Sequence, residues 1–240
     1  MATRTARKDR GGRGGGAPRV REQRRDLYRQ IASEAAERVF ALRGSDASRM
    51  QDVASEAGLS LATIYGVVEG KEELLHTIHA RRMREFLILV REARDAATTT
   101  LDAHRAVLEQ SARFFIERPD FLRLCCRDGY AWGSGLTTTE TQAKLWEEGV
   151  AIPAELFRRG IEEGLYVDEP PLLLARKMLA LQQVELADWA EGGMRADPDV
   201  VCARLDAQFL RAFCRPRPDG LSLAGRGSED RPESGDSAAD

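Results

Sequence analysis

The sequence is poor in the residues that catalysis, metal binding and membrane insertion draw on. It has only 3 His and 4 Cys in 240 residues, and Cys125, Cys126, Cys202 and Cys214 show no C-x-x-C spacing. An adjacent pair such as Cys125-Cys126 is poorly placed to close an ordinary disulfide or to chelate zinc alone, so reduced core thiols are expected. No run of 18 or more apolar residues occurs, which excludes a membrane-spanning helix. The charged, Gly-rich start has no apolar stretch behind it of the kind a secretory signal needs, and a cytoplasmic location is the expectation. Sustained period-two runs of β-branched residues are missing too, so strands are not expected.

Chemistry is equally thin. Gly12-Arg13-Gly14-Gly15-Gly16-Ala17 fits a dinucleotide fingerprint by letters, but no strand precedes it, so no cofactor is expected. Glu72, His76 and His79 share one helical face, yet surface Glu and His are more often solvated than metal-bound, and no metal is expected. No nucleophile motif accompanies His104, which reads as a satisfied core or pocket-lining histidine. With no catalytic constellation, an enzyme is not expected.

What the sequence does have is an uneven charge distribution. Residues 1 to 85 carry 17 Lys and Arg against 12 Asp and Glu, while the remaining 155 carry 19 against 27. A basic end on an acidic body points to a polyanion at that end, whether DNA, RNA or anionic lipid. Residues 1–20 combine arginines with a glycine run and read as a disordered basic arm, and 215–240, rich in Pro, Gly, Ser and charge, as a disordered tail.

Between them the apolar residues recur at spacings of three and four, the pattern of an all-α protein. A first helix is predicted over 26–42 with Leu27, Ile31, Ala35, Val39 and Leu42 inward. A short helix capped by Ser48 with Gln51 follows, then one over 61–68 capped by Ser60. Longer helices are predicted over 71–97, 101–117, 119–130, 140–163 with a break or bend at Pro153, 171–190 and 199–214.

The informative segment is Met50 to Val68. Two helices crossing over a tight turn need small residues at the crossing and a left-handed residue at the turn. Val53 and Ala57 supply the inner face, Ala54 is small at the crossing, Gly58 can stop the helix, Leu59 plugs the turn, and Ile64 with Val67 or Val68 returns to the core. The second helix would enter a DNA major groove.

These residues resemble the TetR family of bacterial regulators. The family's F-x-x-x-G is matched by Phe40-Ala41-Leu42-Arg43-Gly44, its D-I-A-x-x-A-G-V-S-x-x-T-L-Y by Asp52 through Tyr65, and its K-E-E-L by Lys71-Glu72-Glu73-Leu74. The resemblance implies a helix-turn-helix domain over 21–70 and a helical ligand-binding and dimerisation domain over 71–214. It implies a repressor that binds a double-stranded operator as a homodimer, without a membrane, and leaves it when a small effector binds. DNA contacts would fall to Ser48, Gln51, Ser60, Ala62, Thr63, Tyr65, Gly66 and Lys71. The chain departs from the family at Gly66, Val67 and Val68, where bases are usually read. Arg19, Arg21, Arg24 and Arg25 are therefore expected to add DNA contacts. Two other readings stay open: a helical dimer that no longer reads an operator, and single-stranded RNA binding through the Arg-Gly arm.

The last two helices carry more apolar residues than one seam needs. Leu186, Trp189, Leu205, Phe209 and Phe213 are expected at a dimer interface, as the resemblance also implies. His104, Leu108, Phe114, Phe115, Trp132 and Trp146 are the candidates to line an effector pocket.

Overall fold

The computed structural model describes residues 16–128 and 139–216. Among these the chain forms nine helices: α1 (Gly16–Arg43), α2 (Met50–Ala57), α3 (Leu61–Tyr65), α4 (Lys71–Ala96), α5 (Thr100–Ile116), α6 (Pro119–Asp128), α7 (Glu140–Glu162), α8 (Pro171–Glu191) and α9 (Pro198–Phe213). The all-α expectation holds: the described residues form no sheet, only an isolated antiparallel bridge between Tyr166 and Cys214. Capping residues set several of the starts. Ser60, Thr99 and Thr139 each accept a backbone N–H in the first turn of α3, α5 and α7, satisfying donors that a helix end would otherwise leave bare. Pro153 sits inside α7 without ending it.

The packing has two levels joined by α1 and α4. Helices α1, α2 and α3 pack on one another, α4 packs on α1, and α5, α7, α8 and α9 build the larger bundle on α4, with α6 laid against α1. The bundle's far end is aromatic. His104, Phe157, Tyr166, Phe209 and Phe213 sit with neighbouring ring centroids 4.2 to 6.2 Å apart. The chain closes on this cluster. Val167 N–H donates to the Phe213 carbonyl at 2.9 Å and Arg215 N–H to the Leu165 carbonyl at 2.9 Å, so the end of α9 clamps the turn after α7.

Three expectations are corrected. Helix α1 starts at Gly16 rather than near residue 26, so residues 16–20, assigned to the arm, are helical; the following Arg, Glu, Gln and Leu residues are strong helix formers. Its buried face is Ala32, Ala35, Ala36, Val39 and Phe40, whereas Leu27 and Leu42 lie exposed at 53% and 71%; small alanines let α1 approach its neighbours closely, and the leucines fall on the outer side. Leu186, Trp189, Leu205, Phe209 and Phe213 are all buried within a single chain, at 7% exposure or less, so they are core residues of the protomer and offer little surface to a second copy. Residues 1–15 of the expected arm and 217–240 of the expected tail lie outside the described residues.

Gly160 of α7 is where the aromatic cluster tolerates no side chain. A Cβ there would lie 2.1 Å from Tyr166 Cε2 and 2.3 Å from Cδ2, and Tyr166 is fully buried with no room to retreat. Gly160→Ala is expected to destabilise the fold by at least about 2 kcal/mol through overpacking. Urea unfolding checks this, and a midpoint equal to wild type would show that the tyrosine can move.

Candidate nucleic-acid interface

The α2–α3 unit follows from local rules. Gly58 takes φ 64°, the left-handed conformation, and ends α2 while Leu59 N–H donates back to the Ala54 carbonyl at 3.0 Å. Ala54 is buried at the crossing, and Val53 and Ile64 are fully buried beneath it. Ser60 caps α3, its Oγ accepting from Thr63 N–H at 3.1 Å and lying 2.8 Å from Thr63 Oγ1. Arginines of α1 tie the unit down. Arg29 Nε donates to the Val67 carbonyl at 3.1 Å, Arg38 pairs with Glu56 at 2.6 Å and Arg43 with Asp52 at 3.2 Å.

This leaves Gln51, Ser60, Ala62, Tyr65 and Gly66 exposed and Thr63 half-buried, one small surface on α2 and α3. Val67 and Val68 are both buried, and α3 ends at Tyr65 rather than residue 68. Arg19, Arg21, Arg24 and Arg25 are exposed on the first turns of α1. Two expected DNA contacts are placed differently. Ser48 is buried and donates to the Gly44 carbonyl at 2.6 Å, closing the end of α1; the cap of α2 is Arg49, whose N–H donates to Asp52 Oδ2 at 2.9 Å. Lys71 Nζ donates to the Ser45 and Asp46 carbonyls at 2.9 and 3.1 Å, which makes it first an anchor of the α1–α2 turn.

A chain of ion pairs runs from this unit into the bundle. Glu37 of α1 is buried, and Arg81 and Arg82 of α4 grip its carboxylate, Arg81 Nη2 at 2.7 Å and Arg82 Nη2 at 2.8 Å. Arg82 also donates to Glu85 at 2.9 Å, and Glu85 receives Arg118 from the α5–α6 turn at 2.5 Å. Burial works against the Glu85 charge, but Arg118 and Arg82 together hold its carboxyl below the ordinary range. The Arg118 guanidinium lies 4.2 Å from the Phe114 ring centroid, close enough for a cation–π contact. No sequence signal pairs these residues, because Glu37 and Arg81 are 44 positions apart.

Phe86, on which Phe114 packs, lines a small cavity of about 40 Å³ between α4, α5, α7 and α8. Met83, Phe86, Phe115, Trp146 and Leu179 make its apolar wall, and Ser111 and Gln182 add a buried hydroxyl–amide pair, 2.7 Å from Gln182 Nε2 to Ser111 Oγ. Of the candidate pocket residues, Phe115 and Trp146 line this cavity. Phe114 packs behind Phe86, ring centroids 5.3 Å apart, Leu108 is buried on another side of α5, and Trp132 lies outside the described residues. His104 sits in the aromatic cluster instead, its Nδ1 3.0 Å from the Tyr166 hydroxyl. The Ser111–Gln182 pair was not foreseen, since a serine and a glutamine on predicted helices read as surface.

Comparison with known proteins agrees with this geometry. The family model for bacterial regulatory proteins of the tetR family matches residues 33–78, from the buried half of α1 into α4. No curated protein matches the chain in sequence. Among solved structures, the chain is similar to the TetR family regulator PfmR of Thermus thermophilus, at 25% identity and TM-score 0.62, over 76% of this chain and 97% of that one. FadR of Bacillus subtilis, solved with stearoyl-CoA, has the same fold at 16% identity and TM-score 0.67, over 75% and 97%. So does the ketosteroid regulator KstR2 of Mycobacterium tuberculosis, at 18% and 0.64, over 80% and 96%.

Burial pushes the His104 imidazole down to about 3, so it stays neutral in the folded chain while the unfolded chain takes up a proton near pH 6.5. Between these values the unfolded state binds more protons, and stability falls as pH falls. Going from pH 7 to pH 5, this one group is expected to cost about 2 kcal/mol. His104→Asn keeps a polar atom near Tyr166 and does not titrate. Its unfolding free energy should therefore decline about 2 kcal/mol less over the same range; parallel curves would mean His104 is protonated in the fold.

Proposed function

We propose that this chain, a transcription regulator of the tetR family, works as a homodimeric repressor whose operator grip is loosened by a small hydrophobic effector. The observation that carries the reading is the α2–α3 unit, which presents Ala62, Thr63 and Tyr65 on a capped helix above a buried apolar core. A duplex is the partner that this shape fits, and the basic first turns of α1 beside it supply the counter-charge. Thr63 and Tyr65 offer hydroxyls for phosphates rather than forked donors for bases, so they position the protein on the backbone.

The effector would enter between α4, α5, α7 and α8. The wall there is aromatic and aliphatic, and the Ser111–Gln182 pair offers one hydrogen-bonding point without a charge, which suits a largely apolar molecule. The FadR neighbour was solved with stearoyl-CoA and KstR2 is a ketosteroid regulator; both fit a hydrophobic theme. A cavity of about 40 Å³ holds at most a few waters. An effector must therefore spread Phe86 and Phe115, and α4 carries Phe86 and the arginines that grip Glu37 on one helix. By linkage, a ligand that prefers the spread form lowers affinity for DNA by the same factor that DNA lowers affinity for it.

Dimerisation would use the outward face of the last two helices, not their buried stripe. Leu173 and Val184 of α8 and Val200 of α9 are exposed at 44%, 69% and 53%, and burying such a row against a second copy removes it from water. Val184→Arg is expected to convert dimers to folded monomers in sedimentation, because Val184 contributes nothing to the protomer core. A clean dimer would exclude this face.

The operator reading is tested by selecting duplexes from a random pool with wild-type protein and measuring Thr63→Ala and Tyr65→Ala on the winner and on random duplex. Both variants should lose similar factors on the two DNAs. Failure of the wild type to select any duplex would overturn the reading.

A further inference from the structure

Two departures from expectation meet in one place. The recognition helix ends early, at Tyr65, and its following valines turn into the core. Between Leu59 and Gly70 there is no Lys, Arg, Asn, Gln or His, so α3 has none of the forked donors that distinguish bases in the major groove. The first helix, in contrast, begins early, and its added turns run past α3. Arg21, Arg24, Arg25 and Tyr28 of α1 face Thr63, Gly66 and Val67 across an open cleft.

The cations on that wall are uncommitted. Arg19, Arg21, Arg24 and Arg25 are exposed, and among the described residues none of them meets a carboxylate. Farther along the same helix, Arg29, Arg38 and Arg43 are each paired, with Glu73, Glu56 and Asp52. Arg24 is held in place without being neutralised. Its guanidinium lies 5.3 Å from the Tyr28 ring centroid, and its Nε donates to the Tyr28 hydroxyl at 3.3 Å, which leaves the terminal N–H groups for a ligand. On the opposite wall, Gly66 has no side chain to fill the cleft, and Thr63, whose hydroxyl lies 2.8 Å from Ser60 Oγ, lines it.

We propose that this cleft seats one sugar–phosphate strand of duplex DNA, with the helical start of α1 as its cationic wall, and that the order of this helix, not only its charge, supplies the affinity that α3 lacks. The inference rests on the duplex-binding reading above. The chemistry is that of phosphodiesters: guanidinium groups fork onto phosphate oxygens, and each neutralised phosphate releases condensed counterions. Order matters because a coil carrying the same four arginines must lose conformational entropy on docking, whereas a preformed helix has lost it already.

The experiment separates order from charge. Leu27 is exposed and precedes the buried residues of α1. Leu27→Pro removes the helical hydrogen bond to the carbonyl four residues back and clashes with it, detaching the arginines from the domain while keeping every charge. Full-length wild type, Leu27→Pro, Leu27→Ala and the triple variant Arg21→Ala/Arg24→Ala/Arg25→Ala are measured on the duplex selected by wild type, across a salt series and with single-stranded competitor. The triple variant should lose at least about tenfold in affinity near physiological salt, with a salt slope flatter by about three units. Leu27→Pro should also lose at least about tenfold, and Leu27→Ala should bind as wild type. Asp26→Gly/Leu27→Gly, a milder break, should fall between, with sedimentation and thermal unfolding confirming that each variant is folded.

Leu27→Pro binding as wild type would overturn the need for helical order. A triple variant with wild-type affinity and slope would overturn the cleft. Competition by single strand as effective as by duplex would also overturn it. If wild type selects no duplex, the operator reading itself has failed, an outcome distinct from these three.

Discussion

The Glu37 carboxylate is the constraint on which the arrangement of the two halves depends. Its side chain is only 5% exposed, and it sits on the helix that carries the DNA-binding unit while both of its partners, Arg81 and Arg82, sit on the helix that founds the bundle. A buried carboxylate without partners would cost several kcal/mol, so α1 and α4 are held where two planar guanidinium groups can reach it. Arg82 then shares itself with Glu85, and Glu85 with Arg118. The junction is therefore ionic and directional, while the core above and the core below it are apolar. Ion pairs of this kind fix one register well and are strongly weakened once the geometry slips.

The bundle divides its aromatic residues between two tasks. Phe86, Phe114, Phe115 and Phe121 pack ring on ring; Phe86 and Phe115 line the cavity, and Phe114 carries Arg118, the last arginine of the ionic chain. His104, Phe157, Tyr166, Phe209 and Phe213 lock the far end, where Gly160 accepts the Tyr166 ring and the backbone after α9 is tied to the turn after α7.

What was legible in the sequence was local. Gly58 needs its left-handed turn, Ser60 its cap and Ala54 its close crossing, and all three act within a few residues of themselves. The faces of long helices were less legible. The inward side of α1 is made by alanines, which hydrophobicity alone ranks below Leu27 and Leu42, and the stripe of α9 pointed to a partner when its partner is the chain's own α5. Pairings across 44 residues, as between Glu37 and Arg81, leave no periodic trace at all. The early start of α1 was masked by the adjoining glycines, although the residues after them favour a helix.

Helix α1 is one unbroken element of 28 residues, about 42 Å long at about 1.5 Å per residue. Glu37 lies near one end, and Arg21 stands sixteen residues away, roughly 24 Å along the axis. The helix is in effect a lever with its fulcrum at the carboxylate. A tilt of about 10° there would carry the arginines sideways by about 4 Å, more than the rise of about 3.4 Å for one base pair. On the duplex-binding reading proposed above, an adjustment of side-chain size at the junction would be magnified into a displacement the size of one base-pair step.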